Sequence, residues 1–346
     1  MIAAGPQARH TAAVPDWQQQ LAQAVRDPLE LLDLLGLTPA QLGPDCTAES
    51  LRAAAAGFPL RVPHAFISRM RPGDPADPLL RQVLAVPAEL LPVEGYVADP
   101  LEETAARGAP GLLQKYRGRA LLVATGACAV HCRYCFRRHY DYGADQDSEA
   151  PRWTAALARL AEDPQLEEII LSGGDPLSLG NARLGQLLAR LAEMPQLRRI
   201  RIHTRTPIVL PARVDAGLLA LLAPLRERLV VVVHANHPAE IDADTAAALR
   251  ALAGHSSALL NQSVLLAGVN DDAATLAALS RRLFAAGALP YYLHQLDRVA
   301  GAAHFAVDDA TALALQERLV GTLPGYLVPK LVRELPGADG KTPLRG

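Results

Sequence analysis

The sequence predicts an α/β fold, a partial (βα)6 barrel wrapped by an N-terminal region that is helical and proline-rich. Three observations carry this. Six short strand-like runs recur from residue 119 onward, each followed by an Ala- and Leu-rich stretch of helical character. Runs such as Leu-Val-Val-Val-Val (229–233) are apolar without alternation, the pattern of strands buried in a parallel sheet covered by helices. Residues 58–100, by contrast, carry Pro59, Pro63, Pro72, Pro75, Pro78, Pro87, Pro92 and Pro100. Proline removes a backbone donor and fixes φ, so extended segments and short helices are expected there.

In chain order, residues 1–15 are small, polar and aperiodic, and are expected to be mobile. Leu21, Val25, Leu29, Leu32 and Leu35 then recur at helical spacing, and Asp27-Pro28 splits the run into two short helices. A third helix is expected over 48–56. Strands are expected at 120–125, 168–172, 199–204, 229–234, 259–266 and 290–294. Helices fall between them at 151–161, 184–193, 216–222, 242–253 and 272–286. Right-handed crossovers curl such units into a partial barrel whose strand C-termini share one rim, where chemistry is placed. The division expected is an N-terminal region over 1–100, the barrel over 101–315 and a C-terminal segment over 316–346.

The charge balance excludes some partners. Lys and Arg number 34 against 36 Asp and Glu, and a net charge of −2 gives no electrostatic case for nucleic acid or an anionic membrane. Aromatics at 4% leave few platforms for base stacking. Pro, Arg, Asp or Gly interrupts every apolar run before it reaches the length of a membrane span. The first ten residues lack the basic-then-apolar plan of a signal peptide, so a cytoplasmic protein is expected. Oligomeric state is not set by the sequence, and a homo-oligomer stays open.

Of four cysteines, Cys128, Cys132 and Cys135 fall within eight residues, while Cys46 stands far upstream. Clustered thiols in a reducing compartment point to metal before disulfide. The loop Cys128-Ala-Val-His-Cys132-Arg-Tyr-Cys135 follows the first barrel strand, which puts all three thiols on the C-terminal rim. A [4Fe–4S] cubane takes four ligands, usually thiolates, so three cysteines leave one iron open to a small-molecule chelate. Ala129, Val130, Tyr134 and Phe136 would limit solvent access. The alternative is a structural zinc, which wants a closed set of four ligands, with His131 or His139 as the fourth. One βα unit later comes Ser172-Gly173-Gly174-Asp175-Pro176, whose glycines would let backbone approach a ligand closely.

Further stretches define a pattern. They are Phe-Pro-Leu-Arg-Val-Pro (58–63), Asp-Pro-Leu (77–79), Pro-Gly-Leu-Leu-Gln-Lys-Tyr-Arg-Gly-Arg (110–119) and Cys-Arg-Tyr-Cys-Phe-Arg-Arg (132–138). Asn-His-Pro (236–238), Asn-Gln-Ser-Val-Leu-Leu-Ala-Gly-Val-Asn-Asp (261–271), Tyr-Tyr-Leu-His-Gln-Leu-Asp (291–297) and Gly-Lys-Thr-Pro (340–343) follow. The C-x3-C-x2-C spacing after a strand matches the radical S-adenosylmethionine (SAM) superfamily. From about residue 58 to the C-terminus the chain resembles the lysine 2,3-aminomutase family. Within it, the similarity is closest to the short branch that supplies β-lysine for modification of elongation factor P.

This resemblance implies a radical-SAM barrel and an isomerase that converts free L-α-lysine to β-lysine. The implied cofactors are a [4Fe–4S] cluster on Cys128, Cys132 and Cys135, SAM, and pyridoxal 5′-phosphate. Ser172, Gly173, Gly174 and Asp175 would meet the amino end of SAM, with further contacts from His234, Gln262 and Asn236. Lys341 matches the Schiff-base lysine; an imine needs a neutral amine beside an aldehyde. Lys115 and Arg119 would bind the phosphate, and two cations suit a dianion; Tyr116 would lie between the two cofactors. Arg137 would clamp the substrate carboxylate, while Asp297 and Glu334 grip its terminal ammonium. A separate ligase would attach β-lysine to elongation factor P.

Several positions depart from the larger family. Lys115 stands in place of arginine, Glu334 in place of aspartate, and Ala338 and Asp339 dilute a glycine-rich loop. No structural zinc is expected, because the longer enzymes' extra cysteines are missing. Two acids at the substrate end disfavour glutamate and leave arginine as an alternative substrate. A non-catalytic iron–sulfur or zinc protein is the alternative of a different class.

Overall fold

The computed structural model describes residues 16–143 and 153–345. The expectation for residues 1–15, and the first two positions of the helix expected from 151, lie outside the described residues. Ten strands form one sheet in chain order: β1 (Arg107–Ala109), β2 (Leu112–Tyr116), β3 (Arg119–Thr125), β4 (Glu168–Gly173), β5 (Arg199–Thr204), β6 (Leu229–Val233), β7 (Ala258–Val264), β8 (Leu289–His294), β9 (Lys330–Arg333) and β10 (Thr342–Pro343). β3 to β9 pair in parallel, each with the next. β1 and β2 add an antiparallel edge before β3, and β10 lies antiparallel to β9. The sheet curls without closing, the partial barrel that the alternation predicts.

Helices Thr154–Ala161, Asn181–Ala192, Ala216–Leu222, Ala243–Gly254, Ala273–Ala285 and Asp309–Thr322 follow β3 to β8 and complete six βα units. Asp215, Asp242, Asp272 and Asp308 cap four of them, each side chain accepting a backbone N–H three residues on. Asp242 and Asp272 therefore precede their helices rather than open them. The sheet's outer face is apolar: Leu171, Ile200, Ile202 and Val231 pack with Leu184, Leu187 and Leu218 of the helices. Alternate residues Ser172, His203 and Arg205 instead line a cavity at the rim, so only part of the sheet is apolar on both faces.

β1, β2, β9, β10 and the helix Asp309–Thr322 are not among the elements expected from the sequence. β9 is four residues between Pro329 and Pro336, too short to show a period. The boundary drawn at 315/316 falls inside Asp309–Thr322, the helix that completes the sixth unit. Among the described residues, no helix is long and apolar enough to cross a membrane.

The N-terminal region supports the thiol loop. Its short helices Trp17–Ala22, Pro28–Leu34 and Ala48–Gly57 share a core with Phe66, Leu79 and Leu80, and Ala129 and Val130 of the loop join that core. Buried Glu89 receives Arg133 through two oxygens (2.9 and 2.5 Å) and Arg138 at 2.6 Å. Four guanidinium bonds to one carboxylate lock the loop from below. Further along, Val97 pairs with Val299 and exchanges hydrogen bonds of 2.9 Å with Arg298 and Ala300 backbone, which draws residues 97–103 over the rim.

Candidate active site

The strand C-termini open into one cavity of about 1300 Å³, mouth included, lined at one end by Cys128, Cys132 and Cys135 and at the other by Asp297, Glu334 and Lys341. Ser172 to Asp175, Arg137, His234 and Gln262 also line it. Lys115, Tyr116 and Arg119 do not. Tyr116 and Arg119 pair across the turn between β2 and β3, at the opposite end of β3 from the thiol loop, with the Arg119 guanidinium 4.7 Å from the Tyr116 ring. Asn236 is a structural residue rather than a cavity contact. Its amide nitrogen donates to Gln82 (2.9 Å) and Tyr134 (2.6 Å), and its oxygen accepts from Val264 N–H.

At the thiol end, burial pushes Cys135 up to about 11 and Cys128 well above its ordinary value, with neighbouring cysteines adding to both. Such thiols keep their protons until a metal displaces them. His131 Nδ1 lies 2.7 Å from Pro59 O and His139 Nε2 lies 3.1 Å from Ala300 O, so both rings are engaged by backbone. Among the described residues, no three His, Cys, Asp or Glu side chains converge tightly enough for a single ion. The two histidines that could complete a zinc site are thus turned to backbone carbonyls. Cys128, Cys132 and Cys135 all line the one cavity, and three thiolates suit a cubane with one iron left open.

The glycine pair lines the cavity and also serves the protein's own packing. A Cβ on Gly173 would come within 2.8 Å of Thr125 O, and one on Gly174 within 2.5 Å of Ala127 O. Their bareness lets β4 pack against the start of the thiol loop; the close approach is to the protein's own backbone. Asp175 is likewise turned inward. One oxygen accepts from Leu177 N–H and Thr204 Oγ1, and the other from the N–H groups of Arg205 and Thr206, all within 3.0 Å. Its carboxylate is spent on holding the β5 terminus, leaving this segment's backbone to face the cavity. His234 and Gln262 touch through Nε2 atoms 3.1 Å apart, and burial lowers His234 to about 3, keeping it neutral.

The other end gathers three cations and three acids. Lys341 Nζ is in direct ion-pair contact with Glu334. Lys115 Nζ lies 3.5 Å from both Glu334 and Glu103, and donates to Leu101 O at 3.2 Å. Burial lowers Lys341 to about 8, opposed chiefly by nearby Asp297. Burial raises Asp297 to about 6, against the pull of Lys341 and Lys115. These opposed shifts mark a desolvated acid–base pair of the kind found where proton state matters.

Arg137 departs from expectation. It is not an open clamp: Nε and Nη2 bind Glu103 at 2.6 and 2.7 Å, and Nη1 donates to Ser172 Oγ at 2.9 Å. Its bidentate face is already filled by a buried carboxylate. Glu103 went unread because Glu102-Glu103 looks like a solvated pair. Only the turn capped by Asp99, which accepts Glu103 N–H at 2.9 Å, and the Val97–Val299 bridge bring it in. His203 and His294, each with a buried Nε2 that lacks a partner, also line the cavity. Their positions in β5 and β8 were legible through the strand-end rule.

The Radical SAM superfamily is matched by residues 122–272, which contain all three cavity cysteines and run from β3 past β7. The site and fold are thus those of a radical SAM enzyme, with a [4Fe–4S] cluster and SAM as its cofactors. Three relatives narrow the class. The L-lysine 2,3-aminomutase of Escherichia coli (strain K12) is 48% identical over 97% of this chain and 96% of that protein. That of Haemophilus influenzae is 46% identical over 94% and 95% respectively. That of Clostridium subterminale is 33% identical over 95% of this chain and 77% of its own length. The chain belongs to the L-lysine 2,3-aminomutase family and is an isomerase.

Proposed function

We propose that this protein converts free L-α-lysine to β-lysine, with pyridoxal phosphate as a third cofactor, and that the product goes to elongation factor P through a separate ligase. The observation that carries the reading is the convergence of Lys341, Asp297 and Glu334 in the cavity that also holds the three thiols. When bound, the cluster and SAM supply homolytic hydrogen transfer, and pyridoxal phosphate supplies a carbonyl and π system that carry the migrating nitrogen.

The chain's own residues would do the following. Cys128, Cys132 and Cys135 hold the cluster, and the backbone of Ser172 to Asp175, with His234 and Gln262, walls the SAM subsite. Lys341, lowered to about 8, has a sizeable neutral fraction near neutrality, as an imine-forming amine requires. The unpartnered Nε2 atoms of His203 and His294 offer polar contacts to a cofactor ring. Lys115, 3.5 Å from Glu334, would supply the phosphate's positive end, whereas Arg119 and Tyr116, stacked at the far end of β3, lie off the cavity lining and would act on it only at longer range. Lys115 does so as a point charge rather than a fork.

Asp297 and Glu334 bind the substrate's ammonium. Glu334 is engaged by Lys341 and Lys115 as it stands, so substrate exchanges one cation for another at little desolvation cost. Arg137, anchored by Glu103, presents a positive wall to the substrate carboxylate. Free lysine is favoured over a lysyl group on the factor because the subsite lies inside the rim and a net charge of −2 offers no docking field for an acidic protein. Thiols that must stay reduced to take iron suit the cytoplasm. The link to elongation factor P rests on the likeness to the short branch.

The test is anaerobic incubation with lysine, pyridoxal phosphate, SAM and a reductant, with products separated by chiral chromatography. β-Lysine that appears only when all components are present supports the reading, and its absence with a full cluster overturns it. A parallel arm with factor pre-loaded with α-lysine, hydrolysed and weighed by mass spectrometry, decides the substrate form. Faster conversion there would reverse the preference for free lysine.

A further inference from the structure

Arg205 belongs to none of the roles above, yet it reaches the thiol loop. Its Nη1 donates to Cys132 Sγ at 2.7 Å. The same nitrogen meets Tyr134 Oη, while Nη2 donates to Gln82 Oε1 at 2.7 Å and to Glu240 Oε2 at 3.0 Å. Arg205 is 7% exposed and Glu240 is fully buried. The anchor is rigid: the second Glu240 oxygen accepts from Asn236 N–H, His237 N–H and Gln82 Nε2 at 2.8, 2.9 and 3.2 Å. The Arg205 backbone is fixed by Asp175 at 2.7 Å. A full positive charge therefore sits against one cysteine sulfur, with its counter-charge one bond further away.

We propose that Arg205 is a positioning residue for the cluster, raising its reduction potential through a charged hydrogen bond to the Cys132 sulfur, and that Glu240 moderates the effect. Hydrogen bonds to the sulfurs and net charge near a cluster set its potential. Reduction adds one negative charge to the cluster. A fixed cation at Cys132 stabilises the reduced form more than the oxidised one, and burial leaves little solvent to screen it. Glu240 destabilises the reduced form from a greater distance, so the two residues pull in opposite directions. Asp175 acts one step further out by holding Arg205. The proposal rests on the reading that Cys132 is a cluster ligand.

The test is a redox titration of the anaerobically reconstituted full chain, followed by the paramagnetic signal of the reduced cluster, with iron and sulfide measured on each sample. Arg205→Gln should lower the ratio of reduced to oxidised cluster at a fixed solution potential by about tenfold or more. For a one-electron couple, tenfold is about 59 mV. Arg205→Lys should recover part of the shift. Glu240→Gln should move the potential the other way, toward easier reduction. A merely structural role would not give shifts of opposite sign.

An unchanged potential in Arg205→Gln at full iron content overturns the proposal, as do shifts of the same sign in Arg205→Gln and Glu240→Gln. Should Arg205→Gln fail to hold iron, Glu240→Gln decides alone: easier reduction supports the proposal, and no shift or harder reduction overturns it. Wild-type protein that binds no cluster would instead sink the underlying assignment of Cys132.

Discussion

The two ends of the cavity hold buried charge in different ways. At the thiol end, Arg133, Arg138 and Arg205 are each tied to a buried carboxylate, Glu89 or Glu240, and to further fixed groups such as Gln82 and backbone carbonyls. At the lysine end, the Lys115 and Lys341 ammonium groups share Glu334 and lie near Glu103 and Asp297, and Asp297, Lys341 and Arg137 all sit far from their ordinary pKa. The first arrangement suits a resident group whose ligands must not move. The second suits a ligand that comes and goes, because a substrate ammonium can replace a lysine ammonium against the same acids. The difference is one of connectivity more than of charge, since both ends are close to neutral by count.

The largest expected effect lies at the fixed end. Cys132→Ser should reduce iron from about four per chain to a trace and abolish the reduced cluster's paramagnetic signal, whereas Cys46→Ser, outside the cavity, should leave both intact. A normal cluster in Cys132→Ser would erase the distinction between the ends. Next comes Lys341→Ala, which should keep its iron but lose the visible imine band and the borohydride-trapped label on position 341. In the unaltered protein, trapping should rise with pH with a midpoint near 8, because burial favours the neutral amine; a midpoint near 10.5 would mean a solvated lysine. Labelling of another lysine would move the imine site.

Asp297→Asn and Glu334→Gln should each raise the KM for lysine by about 10²–10⁴-fold with iron content unchanged, since stripping one partner from a buried ion pair costs about 3–5 kcal/mol. Steady-state kinetics on iron-replete samples checks this, and wild-type values in both variants would remove the acids from the substrate subsite. The smallest effect concerns stability. Asp297 titrates at about 6 when folded and at 3.8 by its ordinary value, so the folded chain binds more protons between those limits. Stability should therefore fall as pH rises from about 4 to 6, by on the order of 1–2 kcal/mol after screening. Denaturant titrations across that range should show the slope in the unaltered protein and a flatter one in Asp297→Asn. Equal slopes would place the carboxyl in ordinary solvent.

What was legible before folding was local. The C-x3-C-x2-C spacing, the strand that precedes it and the six strand–helix alternations depend on neighbours along the chain, and the structure keeps them within a few residues. Lys341, Asp297 and Glu334 were found only because they sit in recognisable stretches; nothing in their own surroundings marks them. The glycine pair and Asp175 line the cavity as expected, but their contacts with Thr125, Ala127 and the end of β5 could not be read, because bareness in a sequence does not say which backbone will approach. Arg137 was read as open for the same reason, its partner Glu103 being 34 residues away.

The sequence by itself determined the barrel's alternation, the metal chemistry of the loop and the cationic character expected of the substrate. The tertiary structure decided how the charges are paired. Glu89, Glu103 and Glu240 each come from a segment distant in the chain from the arginine they neutralise, and they look like ordinary surface acids until the N-terminal wrap and the strand ends bury them. A buried charge must find a partner or lose its proton, but that requirement arises only once burial exists, and burial is a property of the fold.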